Sequence, residues 1–299
     1  MNQLLAIRVF ARVVETGSFT KAADSLDLPK TSVSKLIREL ESHLGVRLLQ
    51  RTTRRLTVTA DGASYYQLTN RLMHQLEDID QGFSKAQGLP RGQIRVDIGG
   101  STATLIVIPA LPDFLARYPD IQIDLGVSDR PVDLVSERVD CVIRGGPLTE
   151  QSLAARRLGE VSWTTCASPG YLQRHGVPTH PNDLNNGHLM VSYRSAATGR
   201  VLPARFQRNG EQHMVEGKAA VSVNESNAHL AAGVAGLGII RTFSYTVRAH
   251  VERGELVPIL QDWQPAPYPF HVLYPPNRHL SNRVRVLIDW LVETFSRVD

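Results

Sequence analysis

Residues 21–45 read KAADSLDLPKTSVSKLIRELESHLG, two helical patterns separated by one proline. In the second pattern Val33, Leu36, Ile37, Leu40 and Leu44 recur at helical spacing and share one face. Lys30, Thr31, Ser34, Lys35 and Arg38 fall within an arc of roughly 140° on the other flank. The spacing predicts a helix from about Lys30 to Leu44, closed by Gly45 as a C′ glycine. Pro29 marks the break, and its fixed φ suits a first helical turn. The polar flank carries side-chain types that hydrogen-bond base edges and phosphates. On an isolated helix, a solvated surface is the plainer reading.

The neighbouring residues favour the nucleic-acid reading. Leu4, Ile7, Phe10, Val13 and Val14 predict a preceding helix, and Gly17-Ser18 a stop followed by a new N-cap. Ala22, Ala23 and Leu26 make a short second helix whose alanines let another helix come close. Short helix, tight turn and polar-flanked helix together form a helix-turn-helix. Next comes LLQRTTRRLTVTADG, residues 48–62. Leu56, Val58 and Ala60 alternate with Thr57 and Thr59 as a strand, and Arg51, Arg54 and Arg55 cluster at the turn before it. This reads as a β-wing holding cations near a phosphate backbone, although a surface loop could also carry three arginines.

Charge follows the same division. Residues 1–60 hold ten Lys/Arg against five Asp/Glu, and the remainder 23 against 24, within a formal net charge of +4. The basic excess is confined to the first fifth of the chain, which points to a polyanion partner for that part alone. The 299 residues, 42% apolar and 21% charged, suit two or three domains with real cores. No apolar run approaches the length of a membrane span, and MNQLLAIRVFARVVE lacks a cleavage site, so neither membrane nor secretion is expected. Cys141 and Cys166 have no CxxC partner; two buried thiols in a reducing, cytoplasmic setting are expected.

From about Ala60 to Gln87 no proline occurs, and Tyr65, Leu68, Leu72, Leu76, Ile79 and Phe83 repeat at heptad-like spacing. The pattern fits a helix packed on its own domain or one that pairs with a second copy. GLPRG at 88–92 reads as a hinge. Beyond it strand and helix patterns alternate. Strands are expected at 93–99, Ile121 to Val127, Cys141 to Ile143 and 267–276. Helices are expected from Ser101, over Val132 to Glu137, after Asn224 and from Val284 to Phe295. This predicts an α/β domain with a mainly parallel sheet and ligand-binding strand ends at Gly99 to Thr102 and Arg144 to Gly146. Amides near Ser101, with the Ser101 and Thr102 hydroxyls, favour an organic anion; simple N-capping by Ser101 is the alternative. Arg144 is placed to pair with such a ligand or with Asp140. Glycines 233, 236 and 238 follow a helix rather than open one, which excludes a nucleotide loop. No nucleophile elbow, paired metal-binding histidine motif or P-loop is present. Neither catalysis nor a metal or other cofactor is expected.

Residues 1–62 resemble the N-terminal domain of LysR-type transcriptional regulators. Phe10, GSFTKAA at 17–23, Val33-Ser34, ELESHLGVRLL at 39–49 and Arg51 through Gly62 carry the likeness. The family often has Ser-Gln-Pro-Ala where this chain has Pro29-Lys30-Thr31-Ser32; a subgroup carries Pro-Lys here. A lysine at the helix start favours guanine, where glutamine favours adenine. VDCVIRGGPL, ASPGYL and AAGVAGLGII resemble the effector-binding domain of the same family, a two-subdomain fold similar to periplasmic binding proteins. The resemblance implies a winged helix-turn-helix over 1–60, a dimerising linker helix over 61–87, a hinge at 88–92 and an effector domain over 93–299. In that last domain, subdomain I covers 93–162 and 267–299, and subdomain II covers 163–266. Double-stranded DNA, contacted by Lys30, Thr31, Ser32, Ser34, Lys35, Arg38, Arg51, Arg54 and Arg55, would be one partner. The other would be a small-molecule effector, lined by Ser101, Thr102, Arg144, Asn224 and Glu225 between the subdomains. A homodimer or homotetramer is implied. An architectural DNA binder without effector and an enzyme with a DNA-binding appendage are the competing readings.

Overall fold

The computed structural model describes residues 1–51, 56–83, 89–131, 134, 139–148, 152–196, 198–276 and 280–298; residues 51, 71, 74, 75 and 77–83 are described by backbone alone. Two compact units result, Met1–Gln87 and Gly88–Asp299. Among the described residues no helix is long and apolar enough to cross a membrane.

The first unit opens with α1 (Gln3–Thr16), capped by the Asn2 side chain and closed by Gly17 at φ 61°. Next come α2 (Phe19–Ser25), capped by Ser18, and α3 (Lys30–Leu44), closed by Gly45 at φ 71°. Ala6, Val9, Phe10 and Val13 of α1, Ala22 and Ala23 of α2, and Val33, Ile37 and Leu40 of α3 form one core. Strand β1 (Leu49–Arg51) pairs antiparallel with β2 (Leu56–Val58), as a wing requires. The Glu41 carboxylate accepts the Leu48 and Leu49 amides and ties the wing to α3. Helix α4 (Ala60–Phe83) follows directly. Gly62 is needed at this junction, because a Cβ there would collide with the Leu48 carbonyl. Tyr65 of α4 packs on Phe10, while Leu68 and Leu72, 52% and 59% exposed, project from the helix.

The second unit is built on a five-stranded sheet in the order β4-β3-β5-β14-β6. Its strands are β3 (Gly92–Ile98), β4 (Ile121–Val127), β5 (Cys141–Gly145), β6 (Ala154–Val161) and β14 (Tyr268–Tyr274). β3 runs parallel to β4 and β5, and β14 lies antiparallel between β5 and β6. The connection between β3 and β4 is helical throughout: α5 (Gly100–Thr102), a π-helical turn at Ala103–Val107 and α6 (Ile108–Arg117). The widened turn lies just ahead of Pro109 and Pro112, whose rings cannot continue the N–H ladder. The closing helix α10 (Asn282–Phe295) packs Trp290 on Phe114. The expected helix over Val132 to Glu137 lies almost wholly outside the described residues.

After β6 the chain builds further sheets before returning as β14. β7 (Trp163–Ala167) pairs antiparallel with β12 (Ile240–Phe243) and β13 (Val257–Ile259). β8 (Leu189–Tyr193) pairs parallel with β11 (Lys218–Val223). Helices α7 (Pro169–His175), α8 (Ser226–Val234) and α9 (Ser244–Glu252) cover them. β9 (Ala204–Arg208) and β10 (Glu211–Val215) form a hairpin turned by Asn209 and Gly210, both at positive φ. Cys141 and Cys166 are buried free thiols; burial raises both, Cys166 to about 12, so neither is a thiolate near neutrality.

Candidate functional site

The outer flank of α3 is open. Lys30, Thr31, Lys35 and Arg38 are exposed, and Ser32 and Ser34 are half-buried, opposite the fully buried Val33, Ile37 and Leu40. Among the described residues Lys35 reaches a distant Glu39 carboxylate at 3.9 Å, and Arg38 Nε donates to its own helix at the Ser34 carbonyl. Neither cation is therefore committed to a tight ion pair. Pro29 stands at the N-cap, just outside the helix rather than in its first turn, and supplies no side-chain cap. The first turn holds no acidic residue. The positive end of the helix dipole and two exposed cations thus share one surface, a chemistry suited to a phosphate backbone and groove edges. Arg51 ends β1 at the root of the wing; Arg54 and Arg55 lie outside the described residues.

In the second unit a cavity of about 310 Å³ opens among β3, β5, β7, β8, β12 and β14. Gly99, Ser101 and Thr102 line it from the end of β3, and Arg144 and Gly145 from the end of β5. These are two of the strand ends the sequence marks. Trp163, Phe243, Tyr268 and Phe270 form an aromatic wall, and Val201, Leu202 and Pro203 lie among the other lining residues. The rings meet at 4.5 Å between Trp163 and Phe243 and 5.2 Å between Trp163 and Tyr268.

Three assignments change in the folded chain. Ser101 is not a helix cap: its Oγ and the Thr102 hydroxyl both meet the Tyr245 hydroxyl at 3.2 Å, and all three are buried. The amides near Ser101 are also taken. Gly100 N–H donates to Asp129 Oδ1 at 2.7 Å, and the Ser101 amide donates to the Ser226 hydroxyl. Arg144 lines the cavity but does not pair with Asp140. Its partner is the buried Asp97 carboxylate of the adjacent strand, and it also donates to the Arg130 carbonyl. Asp140 instead accepts the Arg95 amide. Asn224 does not cap α8; Glu225 does, accepting the Asn227 and Ala228 amides. Asn224 and Glu225 are not among the lining residues, where Ser226 stands instead. The Glu225 carboxylate presses against Gly100, where a Cβ would collide with it.

Two residues the sequence reading passed over organise the cavity. Asp129, just past the end of β4, accepts Gly100 N–H with one oxygen and Ser226 N–H and the Tyr193 hydroxyl with the other, at 2.6 and 2.9 Å. One internal carboxylate thus fills the anion position that the backbone amides at Gly100 and Ser226 create together. Its place after a strand end was a usable signal, because α/β sheets gather function there. Arg241, on β12, faces the cavity with its guanidinium 4.4 Å from the Trp163 ring and 5.3 Å from Phe206. Its neighbours in sequence, GLGIIRTF, give no hint of this. His229 is buried, bonded to the Val191 carbonyl and set edge-on to Tyr193; burial lowers its pKa and keeps it neutral. Elsewhere, His180, Glu211 and His213 bring ligand-type atoms within 4.8 Å, but His180 Nδ1 already accepts the Asn182 amide.

The model of bacterial regulatory helix-turn-helix proteins of the lysR family matches residues 4–63, and that of the LysR substrate binding domain matches residues 87–296. The chain belongs to the LysR family of transcriptional regulators. An HTH-type transcriptional repressor of Pseudomonas aeruginosa is 38% identical over 99% of this regulator and 93% of its own length. The Escherichia coli HTH-type transcriptional regulator YhjC is 39% identical over 97% of both. Among solved structures, the LysR-type regulator CrgA of Neisseria meningitidis aligns over 98% of both chains at TM-score 0.63 and 28% identity. The full-length Vibrio cholerae virulence activator AphB aligns at TM-score 0.61 and 30% identity, over 97% and 98%. The regulator thus joins a DNA-binding helix-turn-helix domain to a substrate-binding domain of periplasmic-binding-protein type.

Proposed function

We propose that the flank of α3 reads operator DNA and that the cavity of the second unit takes a small effector that changes how the DNA is held. Lys30, Thr31, Ser34 and Lys35 are assigned to base edges, with Arg38 at a base or a phosphate and Ser32 within the same DNA contact. Arg51, Arg54 and Arg55 grip phosphates and supply most of the affinity. Residues 61–87 carry a second copy of the chain, with Leu68 and Leu72 in the seam, so that two α3 helices enter successive major grooves. Residues 88–92 act as the hinge. The effector shifts the equilibrium only as far as it prefers one arrangement of the DNA-binding pair. A protein that works on chromosomal DNA acts in the bacterial cytoplasm.

The observation that carries this reading is the division of α3. Its apolar residues are buried in the core, and four polar or cationic residues are left exposed on the opposite side. Genomic footprinting supplies the operator, and the Lys30→Ala/Lys35→Ala/Arg38→Ala triple variant is then titrated against it and against random duplex. The expected result is loss of the preference for the operator. Unchanged discrimination contradicts the assignment. Turnover of a metabolite by the purified protein would favour an enzyme, and operator binding indifferent to every small molecule a purely architectural role.

A further inference from the structure

The effector reading of the cavity leaves the effector's chemistry open, and Arg241 narrows it. Arg241 Nη2 is buried without a hydrogen-bond partner, and the residue forms no ion pair among the described residues. Among the described residues the charge that acts on it is that of Arg205, of the same sign. Burial, with Arg205, pushes Arg241 down to about 10, so it stays charged at neutral pH. A desolvated cation without a counter-ion is costly in the empty site and rewards an anion that enters. The two carboxylates in the wall do not serve. Asp129 already accepts three donors, and Glu216 is exposed and not bonded to Arg241.

The same geometry excludes the more obvious anion position. The backbone amides at Gly100 and Ser226 converge on Asp129, so a ligand's negative charge has no open donors there. Asp129 and Glu216 also oppose a second negative charge on the ligand. The rest of the cavity near Arg241 is aromatic: Trp163, Phe243 and Tyr268 stand as adjoining rings at 34–67° to one another, able to meet a planar body by face or edge. A volume of about 310 Å³ sits at the small end of ligand pockets.

We infer that the effector is a small monocarboxylate with a flat, conjugated or aromatic body. Its carboxylate pairs with the Arg241 guanidinium, and its body lies against the Trp163–Phe243–Tyr268 wall. Arginine suits this role because its planar N–H fork matches a carboxylate in two parallel hydrogen bonds. Ser101 and Thr102, which also line the cavity, then offer hydroxyls to a polar substituent.

The test is calorimetric titration of the full-length protein with four probes: benzoate, benzamide, benzylamine and phenyl phosphate. Benzoate is expected to bind at least about tenfold tighter than benzamide, the loss of one charged hydrogen-bonded pair. Arg241→Gln should remove that preference, weakening benzoate far more than benzamide. Should Arg241→Gln fail to fold, Arg241→Lys, which keeps the charge but loses the fork, should weaken benzoate and not benzamide. Benzamide or benzylamine matching benzoate, or benzoate affinity indifferent to Arg241, overturns the inference and leaves the cavity as an effector site. A preference for phenyl phosphate overturns the carboxylate assignment alone. Binding of none of the four overturns the inferred class. If the operator complex also ignores a pool of cellular metabolites, the effector reading falls with it.

Discussion

On α3, Lys30, Thr31, Lys35 and Arg38 stand in water above a core made by Val33, Ile37 and Leu40. In the cavity, Arg241 lies against Trp163 and Phe206 with Nη2 buried, and Asp129 is fastened by three donors. The two regions position polar groups by different means. The helix needs only a correct apolar stripe, because hydrated side chains cost little to hold. The cavity needs partners drawn from distant segments, because each buried polar group must be paired or remain poised for a ligand.

The largest effect should come from the support beneath the open face. Leu40→Ala removes a fully buried side chain from the first unit and should cost about 2–5 kcal/mol. Chemical unfolding followed in that unit, together with operator binding, checks this. A loss of DNA binding at unchanged stability would break the claim that the flank is placed by its core.

Next is Asp129→Ala, which orphans the Gly100 and Ser226 amides and the Tyr193 hydroxyl. About 1–3 kcal/mol is expected from the unsatisfied donors. This should appear as a lower melting temperature of the second unit, with part of the loss restored in Asp129→Asn. No change in melting would show that Asp129 is dispensable and that the amides are open to ligand.

Lys30→Ala tests the open side of the comparison. A bidentate base contact predicts about 1–3 kcal/mol of lost discrimination between operators, with little effect on folding. An unchanged ranking of sites removes Lys30 from base reading.

The smallest effect is the pH response of His229. Its folded pKa lies below the ordinary value because of burial. The unfolded chain therefore binds the proton more readily, and stability is lost as pH falls below about 6.5 toward the folded value. His188 and His271 are lowered too and add to the trend. Melting temperature recorded from pH 7.5 to 5 should fall less steeply in His229→Gln than in the parent chain.

These differences also explain what could be read before folding. The extent of α3, its buried stripe, its left-handed Gly45 and the wing strand follow from local periodicity and turn chemistry, and they appear as expected. The strands at 93–99 and 121–127 and the closing helix were equally legible. The Asn209-Gly210 hairpin was legible as well, through its turn residues and flanking alternation, but was passed over. The cavity was only half visible. Strand ends pointed to Ser101, Thr102 and Arg144. That Asp97 neutralises Arg144, and that Arg241 forms no ion pair among the described residues, depend on segments far apart in sequence. No window of neighbouring residues contains that information.

The most direct measurement places a photocrosslinker on the flank itself. The two native thiols are buried, so a single cysteine introduced as Thr31→Cys or Ser34→Cys can be labelled selectively with an azide reagent. Gln67→Cys, exposed on α4, serves as control. The account predicts crosslinks from positions 31 and 34 to bases within one operator half-site, and none to bases from position 67. Operator-bound protein whose positions 31 and 34 crosslink no better than position 67 would contradict it.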